Sequence, residues 1–439
     1  MKFTPHTIEE TAEMLETIGV SQVSDLFSPI PDELKTEKFD LPVGISESET
    51  MKIMKKLAGK NDADMVCFLG GGVYEHFIPA AVDALSSRPE FYTAYTPYQP
   101  EASQGTLQVL YEFQTMMCEL TGMEASNASM YDGGTALAEA ALMALRISKK
   151  RSRIVLDGSV NPVQKEIVKT YLSFLEVEVA DIEYGSDDSI NNYLDGQTAG
   201  FIFQNPAFDG TVKDYTEINE KIHADKAVSV VSVYPISLGL IKTPGDMGFD
   251  IAVGDGQSLG NPLSFGGPYF GFMTTTMKHI RNLPGRIVGK TVDTKGRDGY
   301  VLTLQAREQH IRRQKATSNI CSNQSLCAMN GLFYMSLMGE KGLMDAASLC
   351  KSKAEYAKSE LAKVKGVKVA DGETFNEFVV ELSAKAEDVC LKLADKGILA
   401  GIPMNNYIND AENKLLVAVT ELRTKQDIDT LVSEIGGAL

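Results

Sequence analysis

Short β-branched runs alternate with helical runs between residues 153 and 274, and this alternation constrains the fold more than any other feature of the sequence. Strand patterns lie at residues 153–156, 177–180, 200–204, 228–233, 251–253 and 270–274. Helical patterns at residues 163–174 and 218–223 lie between them. The alternation predicts an α/β fold in which a mostly parallel sheet is covered by helices on both faces.

Further patterns flank this region and divide the chain. Residues 104–120 and 135–148 read as helices, and the first has the apolar stripe Leu107, Leu110, Phe113, Met117 and Leu120. Capping boxes that begin at Thr7 and Ser46 predict a helical arm. Beyond residue 325, a long helical stretch precedes strands at 367–369, 377–381 and 415–419 and a helix at 385–396. We predict an arm (1–60), a large α/β domain (61–325) and an α+β C-terminal domain (326–439).

Composition narrows the class of protein. The net charge of −17 repels phosphate backbones, which argues against nucleic acid as a partner. The longest apolar stretch, residues 227–241, is too short and too interrupted to cross a bilayer. The six cysteines form no CxxC pair, and the N-terminus lacks the apolar core of a signal peptide. We therefore expect a cytoplasmic protein with neither a membrane nor a nucleic acid as partner.

Two glycine-containing segments have both a functional and a structural interpretation. Residues 70–74, here called the glycine loop, follow an apolar run and either let a ligand approach the backbone or form a plain tight turn. Asp132 precedes Gly133 and Gly134 at the start of a predicted helix, where free N–H groups can bind an anion. An ordinary N-cap is the favoured interpretation there, because the charge of Asp132 disfavours a phosphate.

The remaining motifs are a polar loop and a basic region. The tyrosine loop, residues 93–105, combines aromatic and hydrogen-bonding groups just before a long helix, and it either binds a ligand or packs its own tyrosines. Between Lys278 and Lys315 lie ten Lys or Arg residues against three carboxylates. Its tightest part, the basic segment (residues 307–315), suits an anionic ligand or forms local ion pairs. No pair among the five histidines has metal-ligand spacing.

Several collinear stretches resemble the glycine decarboxylase P-protein family of the glycine cleavage system. They are Pro284-Gly-Arg-Ile-Val-Gly289, Gln305 to Cys321, Tyr95-Thr-Pro-Tyr-Gln-Pro-Glu101 with Ser103-Gln-Gly105, Asn127-Ala-Ser129 and Phe265-Gly-Gly-Pro268. The resemblance implies the fold-type-I architecture of pyridoxal-phosphate enzymes. Such proteins occur as one long chain with two homologous halves or as two subunits, and a length of 439 residues resembles the separate N-terminal half.

This sequence departs from the family pattern at two defining positions. In the half that binds the cofactor, a His-Lys pair precedes the glycine-rich run, and the lysine forms the Schiff base. The matching positions here are Gly256 and Gln257, and an amide cannot form an aldimine. The family's aspartate for the pyridinium nitrogen is matched by Tyr234. The resemblance therefore implies that a homologous second subunit holds pyridoxal phosphate covalently and that this chain does not.

The family reaction decarboxylates glycine and passes the aminomethyl group to the lipoyl arm of H-protein, so the resemblance implies two protein partners, the second subunit and H-protein. In fold-type-I dimers a neighbouring subunit often holds the cofactor phosphate, and by this analogy we predict cofactor contacts from Thr317, Ser318 and Asn319. We predict no catalytic residue and no metal ligand. Residues predicted at the substrate or the interface are Tyr95, Tyr98, Gln99, Glu101, Gln104, His310, Arg312 and Arg313.

Two other functions fit the same sequence. The first is a self-sufficient pyridoxal-dependent decarboxylase or aminotransferase, which requires a Schiff-base lysine outside the glycine-rich residues 254–267, where there is none. The second is a scaffold or regulator that kept the fold and lost the chemistry. Cofactor absorbance tests the first alternative, and an activity assay with the partner tests the second.

Overall fold

The structure is a computed structural model that describes residues 5–36, 40–183, 187–321 and 323–439. The chain divides into two compact units, Met1–Ala63 and Asp64–Leu439. Within the described residues, no helix is long and apolar enough to cross a membrane.

The α-helices of the described residues are α1 (Ile8–Ile18), α2 (Glu47–Ala58), α3 (Ala80–Ser86), α4 (Pro89–Tyr92), α5 (Gln104–Thr121), α6 (Gly133–Ser148), α7 (Pro162–Leu172), α8 (Asp187–Asn191), α9 (Thr216–Ala224), α10 (Gln309–Arg312), α11 (Ser325–Leu361), α12 (Ala386–Ala394) and α13 (Lys425–Ala438).

The strands are β1 (Val66–Cys67), β2 (Ala125–Ser126), β3 (Arg153–Leu156), β4 (Glu178–Asp181), β5 (Thr198–Asn205), β6 (Val228–Val233), β7 (Ile251–Asp255), β8 (Gly271–Thr275), β9 (Ile287–Val292), β10 (Asp298–Thr303), β11 (Val367–Val369), β12 (Glu377–Leu382), β13 (Ile398–Leu399), β14 (Ile402–Pro403) and β15 (Lys414–Ala418).

The first unit carries two capped helices. The side chains of Thr7 and Ser46 each accept a hydrogen bond from the backbone N–H three residues on. The carboxylates of Glu10 and Glu49 accept one from the backbone N–H of the cap residue, so both predicted capping boxes are present. Neither α1 nor α2 buries a residue. The ends of these helices are therefore set by the caps, because neither helix packs a buried face.

The central sheet of the second unit has the strand order β2-β8-β7-β6-β5-β3-β4. The pairs β4–β3, β3–β5, β5–β6 and β6–β7 are parallel, whereas β8 and β2 are antiparallel to their neighbours. The predicted α/β class with a mostly parallel sheet is confirmed. The sequence did not reveal that β8 reverses direction.

Both faces of this sheet are buried. Phe201 and Phe203 of β5 pack into the hydrophobic cluster on one face, and Ile202 between them packs into the cluster on the other face. Helix α5 covers the first face with three residues of the predicted stripe, Phe113, Met117 and Leu120, and α6 covers the second. Burial on two faces explains why these strands are continuous apolar runs.

The C-terminal part is built around an antiparallel sheet with the order β11-β12-β15-β14. Helix α11 leads into it and breaks at Gly339, whose positive φ of 61° lies inside the helix. Strand β1 pairs with β13, so a strand near residue 66 belongs to the packing of this part. The division at residues 325 and 326 stays a prediction.

The hairpin of β9 and β10 was not predicted from the sequence. Its strands pair from Ile287–Thr303 to Val292–Asp298, but most of their side chains are only partly buried or exposed. Because glycine, lysine and aspartate interrupt the apolar positions, the two-residue periodicity is weak there.

Replacing Phe113 tests the packing of α5 on the sheet. Its fully buried ring meets the buried ring of Phe270 edge-on, with centroids 5.5 Å apart. We expect Phe113→Ala to lower the free energy of unfolding by about 3–5 kcal/mol. The matched control, Phe174→Ala, removes a ring that is 95% exposed. It should change stability by less than about 0.5 kcal/mol. Equal urea midpoints for both variants would contradict this packing.

Candidate functional site

A narrow cleft lies at the carboxyl ends of the parallel strands, where α/β proteins bind ligands. Its volume is about 30 Å³. Its floor comes from the ends of β5, β6 and β7, and the segment before α7 and the glycine loop close over it. The lining residues are Gly72, Tyr74, Asn161, Gln164, Gln204, Pro206, Ser232, Val233, Tyr234 and Asp255.

The side chain of Gln257 lies buried behind this cleft, two residues after β7. Its Oε1 accepts a hydrogen bond from the backbone N–H of Tyr74 at 2.9 Å, and its Nε2 donates one to the carbonyl oxygen of Asn261 at 2.8 Å. The two ends of the amide therefore bind the glycine loop and the segment after β7 at the same time.

The glycine loop is also anchored by the carboxylate of Glu377. The backbone N–H of Gly71 donates to Glu377 Oε1 at 2.6 Å, and the hydroxyl of Tyr74 donates to Oε2 at 2.5 Å. Burial raises the pKa of Glu377 to about 7. Asn161 adds a third anchor by donating to the carbonyl of Gly71 at 2.9 Å. The groups that approach the loop's glycines in the structure are the protein's own side chains, and a ligand at this loop stays a prediction.

Two tyrosine rings occupy the mouth of the cleft. The rings of Tyr74 and Tyr234 lie 4.3 Å apart between centroids. The hydroxyl of Tyr234 is hydrogen-bonded to His76 Nε2, and His76 Nδ1 contacts Glu421 Oε2 at 2.7 Å. Burial raises the pKa of both tyrosine hydroxyls. Tyr234 is therefore a neutral, hydrogen-bonded group where a carboxylate was expected from the family pattern.

Carboxylates already occupy the N-terminus of α6. Asp132 caps the helix by accepting from the N–H of Thr135 at 2.7 Å, as the favoured interpretation predicted. Asp255 accepts from the N–H of Gly133 at 3.0 Å, and burial raises its pKa to about 6. An incoming anion would displace one carboxylate and be repelled by the other.

The structure places the residues of the tyrosine loop at the surface. Tyr95 is 85% exposed and Tyr98 is 47% exposed, and Gln99 and Glu101 are also exposed. Gln104 has a structural role, because its amide exchanges two hydrogen bonds with the backbone of Tyr300 in β10.

The basic segment and the residues after it meet this loop. His310 packs edge-on against Tyr98 with centroids 5.6 Å apart, while Arg312 and Arg313 are exposed. In contrast, Lys290 and Arg297 of the wider basic region form local ion pairs with Asp298 and Asp293. Local ion pairs are therefore present in the wider region, and an anionic ligand at the basic segment stays a prediction.

The three predicted cofactor contacts differ in what they already bind. The hydroxyl of Ser318 donates to Glu139 at 2.8 Å and accepts from the N–H of Ile320 at 3.1 Å. Within the described part of the chain, neither the hydroxyl of Thr317 nor the amide of Asn319 makes a hydrogen bond, and Asn319 is exposed. The roles of all three stay predictions.

Sequence reasoning did not single out a buried arginine at this surface. Arg286 is 4% exposed, stacks on Tyr98 at 5.4 Å and donates to its hydroxyl at 3.3 Å. Its Nε has no partner, and it forms no ion pair in the described part of the chain. Arg307 is also mostly buried, and burial lowers its pKa. In the sequence, the only indication of this residue is the excess of arginine over carboxylate around Arg286, and that excess does not predict which arginine is buried.

Solved structures place this architecture among the fold-type-I pyridoxal-phosphate enzymes. A sphingosine-1-phosphate lyase of Burkholderia pseudomallei superposes with a TM-score of 0.66 at 12% identity, over 92% of this chain and 93% of that one. A structure of C-DES with glycine linked covalently to its pyridoxal phosphate gives a TM-score of 0.64 at 13% identity, over 86% and 97%. At these identities the likeness establishes the fold alone.

Closer relatives establish the family. Residues 1–435 match the family model described as "Glycine cleavage system P-protein". The chain is 57% identical, over the full length of both, to the "Probable glycine dehydrogenase (decarboxylating) subunit 1" of Geotalea uraniireducens (strain Rf4). A crystal structure described as glycine decarboxylase (P-protein) of the glycine cleavage system, in inhibitor-bound form, superposes with a TM-score of 0.89 at 40% identity, covering all of both chains. The chain belongs to the glycine cleavage system P-protein family.

The cleft at the strand ends does not fit pyridoxal phosphate. Its volume of about 30 Å³ has room for a water molecule or two but not for a pyridine ring. Among the described residues that line it, none is a lysine. The helix N-terminus that could take a phosphate is bonded to Asp132 and Asp255. No step of the family reaction is therefore assigned to this cleft.

The buried carboxyl of Glu377 should make stability depend on pH. Its folded-state pKa of about 7 lies above the ordinary 4.5, so the folded chain holds a proton that the unfolded chain releases. Stability is therefore lost as pH rises from about 4.5 to about 7, by on the order of 1–3 kcal/mol. We expect Glu377→Gln to flatten the unfolding midpoint across this window. Glu381→Gln, on the exposed face of the same strand, is the control. Parallel pH curves for all three proteins would refute the assignment.

Proposed function

We propose that this chain is the subunit without the Schiff-base lysine in a two-subunit glycine decarboxylase that acts in the cytoplasm. The homologous partner holds pyridoxal phosphate, which acts as the electron sink when glycine loses carbon dioxide. The aminomethyl group then passes to the lipoyl arm of H-protein. This chain supplies the interface and part of the wall around the partner's cofactor.

The observation that carries the proposal is the hydrogen bonding of Gln257. The residue stands where the family pattern has the Schiff-base lysine, and both ends of its amide are bonded inside the protein. A lysine there would offer no acceptor to the N–H of Tyr74. The cofactor position in this chain is thus built as a packed interior, which supports a partner as the site of the chemistry.

A second observation favours the surface around Tyr98 as the part that meets the partner. Arg286 is buried beneath Tyr98 without an ion pair in the described residues, and a buried unpaired guanidinium is costly. Thr317 lines a small pocket with Gly285 and Arg307, and among the described residues neither its hydroxyl nor the amide of Asn319 makes a hydrogen bond. A phosphate on the partner's cofactor would satisfy both the charge and the donors.

The two alternatives are distinguished by the same cleft. A self-sufficient enzyme requires a ring-sized pocket with a lysine, and the cleft offers neither among its described residues. A pure scaffold requires no anion site facing a partner. The scaffold hypothesis therefore gives no reason for the burial of Arg286. The proposed subunit accounts for both features.

Reconstitution tests the proposal directly. The two subunits, mixed with pyridoxal phosphate, H-protein and glycine, should exchange carbon dioxide with glycine, whereas each alone should not. Borohydride reduction followed by peptide mapping should find a pyridoxyl-lysine in the partner only. A pyridoxyl-lysine on this chain would overturn the proposal that it lacks the Schiff-base lysine. Full activity of the partner alone would favour the scaffold.

The contacts predicted at residues 317–319 are tested by a double substitution, Thr317→Val with Asn319→Ala. Each charge-assisted hydrogen bond to a phosphate contributes roughly 1.5–3 kcal/mol, so cofactor binding to the assembled complex should weaken at least about 10-fold. Ser318→Ala should instead reduce stability, because it removes the partner of the buried Glu139.

Thr170→Val is the matched control, since its exposed hydroxyl bonds only to the carbonyl of Glu166 in α7. A cofactor titration of the double variant that overlays those of wild type and the control would remove residues 317 and 319 from the site. The family assignment would survive that result.

A further inference from the structure

Behind the cleft, three potential metal ligands from distant parts of the sequence converge. They are His76 after the glycine loop, Cys350 in α11 and Glu421 after β15. One ligand atom from each lies within 4.8 Å of the others. His76 Nδ1 is 2.7 Å from Glu421 Oε2, and Cys350 Sγ is 3.4 Å from the same oxygen. Within the described residues, no other group of this kind meets the same distance limit.

We propose that His76, Cys350 and Glu421 form a zinc site that fixes the closed cleft. Imidazole nitrogen, thiolate sulfur and carboxylate oxygen are the ligands that zinc takes in proteins. The ion takes His76 Nδ1, Cys350 Sγ and Glu421 Oε2. The proton of the thiol goes to solvent, and the neutral imidazole keeps its one ring proton on Nε2. This site lies outside the proposed glycine chemistry and does not depend on it.

The groups around these ligands already have the arrangement of an outer shell. A zinc-bound histidine donates its other ring N–H to a neighbouring acceptor, which here is the hydroxyl of Tyr234 on His76 Nε2. A ligating carboxylate is in turn hydrogen-bonded, and Glu421 Oε1 accepts from the N–H of Phe77 at 2.8 Å. Tyr234 and the N–H of Phe77 therefore hold the outer atoms of His76 and Glu421, so that Nδ1 and Oε2 face Cys350.

Burial and charge favour an ion over an empty network. The side chain of His76 is 1% exposed, that of Glu421 is 11% exposed, and Cys350 is fully buried. A thiolate and a carboxylate together carry two negative charges, which a divalent zinc neutralises without leaving a buried net charge.

Zinc content of the full chain, purified without a polyhistidine tag, is the first test. After chelation and dialysis against zinc, we expect one zinc per chain in the wild type and in Cys327→Ser, whose half-buried thiol lies outside the cluster. We expect a loss of at least about 10-fold in zinc affinity for Cys350→Ser. Retention of zinc at wild-type affinity in Cys350→Ser would overturn the site.

Spectroscopy of the wild type keeps the proposal testable even if Cys350→Ser misfolds. Cobalt in place of zinc should give a thiolate charge-transfer band, again retained in Cys327→Ser. X-ray absorption at the zinc edge should show one sulfur at about 2.3 Å and nitrogen or oxygen at about 2.0–2.1 Å. Absence of a sulfur neighbour, or no zinc uptake by the wild type, would refute the proposal.

Discussion

The buried amide of Gln257 is the interaction on which the strand edge of this protein depends. An amide can accept on one side and donate on the other, and Gln257 uses this to join the glycine loop to the turn that follows β7. The loop, held in place, brings Tyr74 against Tyr234, and the N–H of Gly71 and the hydroxyl of Tyr74 both donate to Glu377. The cleft is narrow because the side chains of Gln257, Glu377 and Asn161 each hold the glycine loop by hydrogen bonds.

The strand edge and the surface around Tyr98 have opposite electrostatic environments. At the strand edge, Glu377 and Asp255 are buried carboxyl groups whose pKa values burial raises, and no anion can enter without displacing them. At the surface around Tyr98, buried Arg286 and exposed Arg312 and Arg313 create the opposite potential within an acidic protein. A narrow cleft at the strand ends and a positively charged surface around Tyr98 are the two features that support the proposed role beside a second subunit.

The sequence predicted the elements that depend on periodicity. The parallel strands, the stripe of α5 and both capping boxes were found within a few residues, because apolar spacing and capping chemistry are local. The reversal of β8 and the β9–β10 hairpin were not found, because direction and weakly amphipathic pairing depend on distant partners. The same limit applies to the site: Gln257 was identified by resemblance, but His76 and Glu421, 345 residues apart, meet only in the folded chain.

The carboxylates at the start of α6 bear on how this protein can change over evolutionary time. Glutamine and lysine codons differ by one base, so the amine missing at position 257 is a single mutation away. That mutation would nevertheless meet a helix end bonded to Asp132 and Asp255, and it would meet Tyr234 where the family pattern has the aspartate for the pyridinium nitrogen. Each further change restores nothing until all are present, and each disturbs a satisfied interior. Under the proposed assignment, a cofactor site at this edge would therefore require several simultaneous changes in a packed interior.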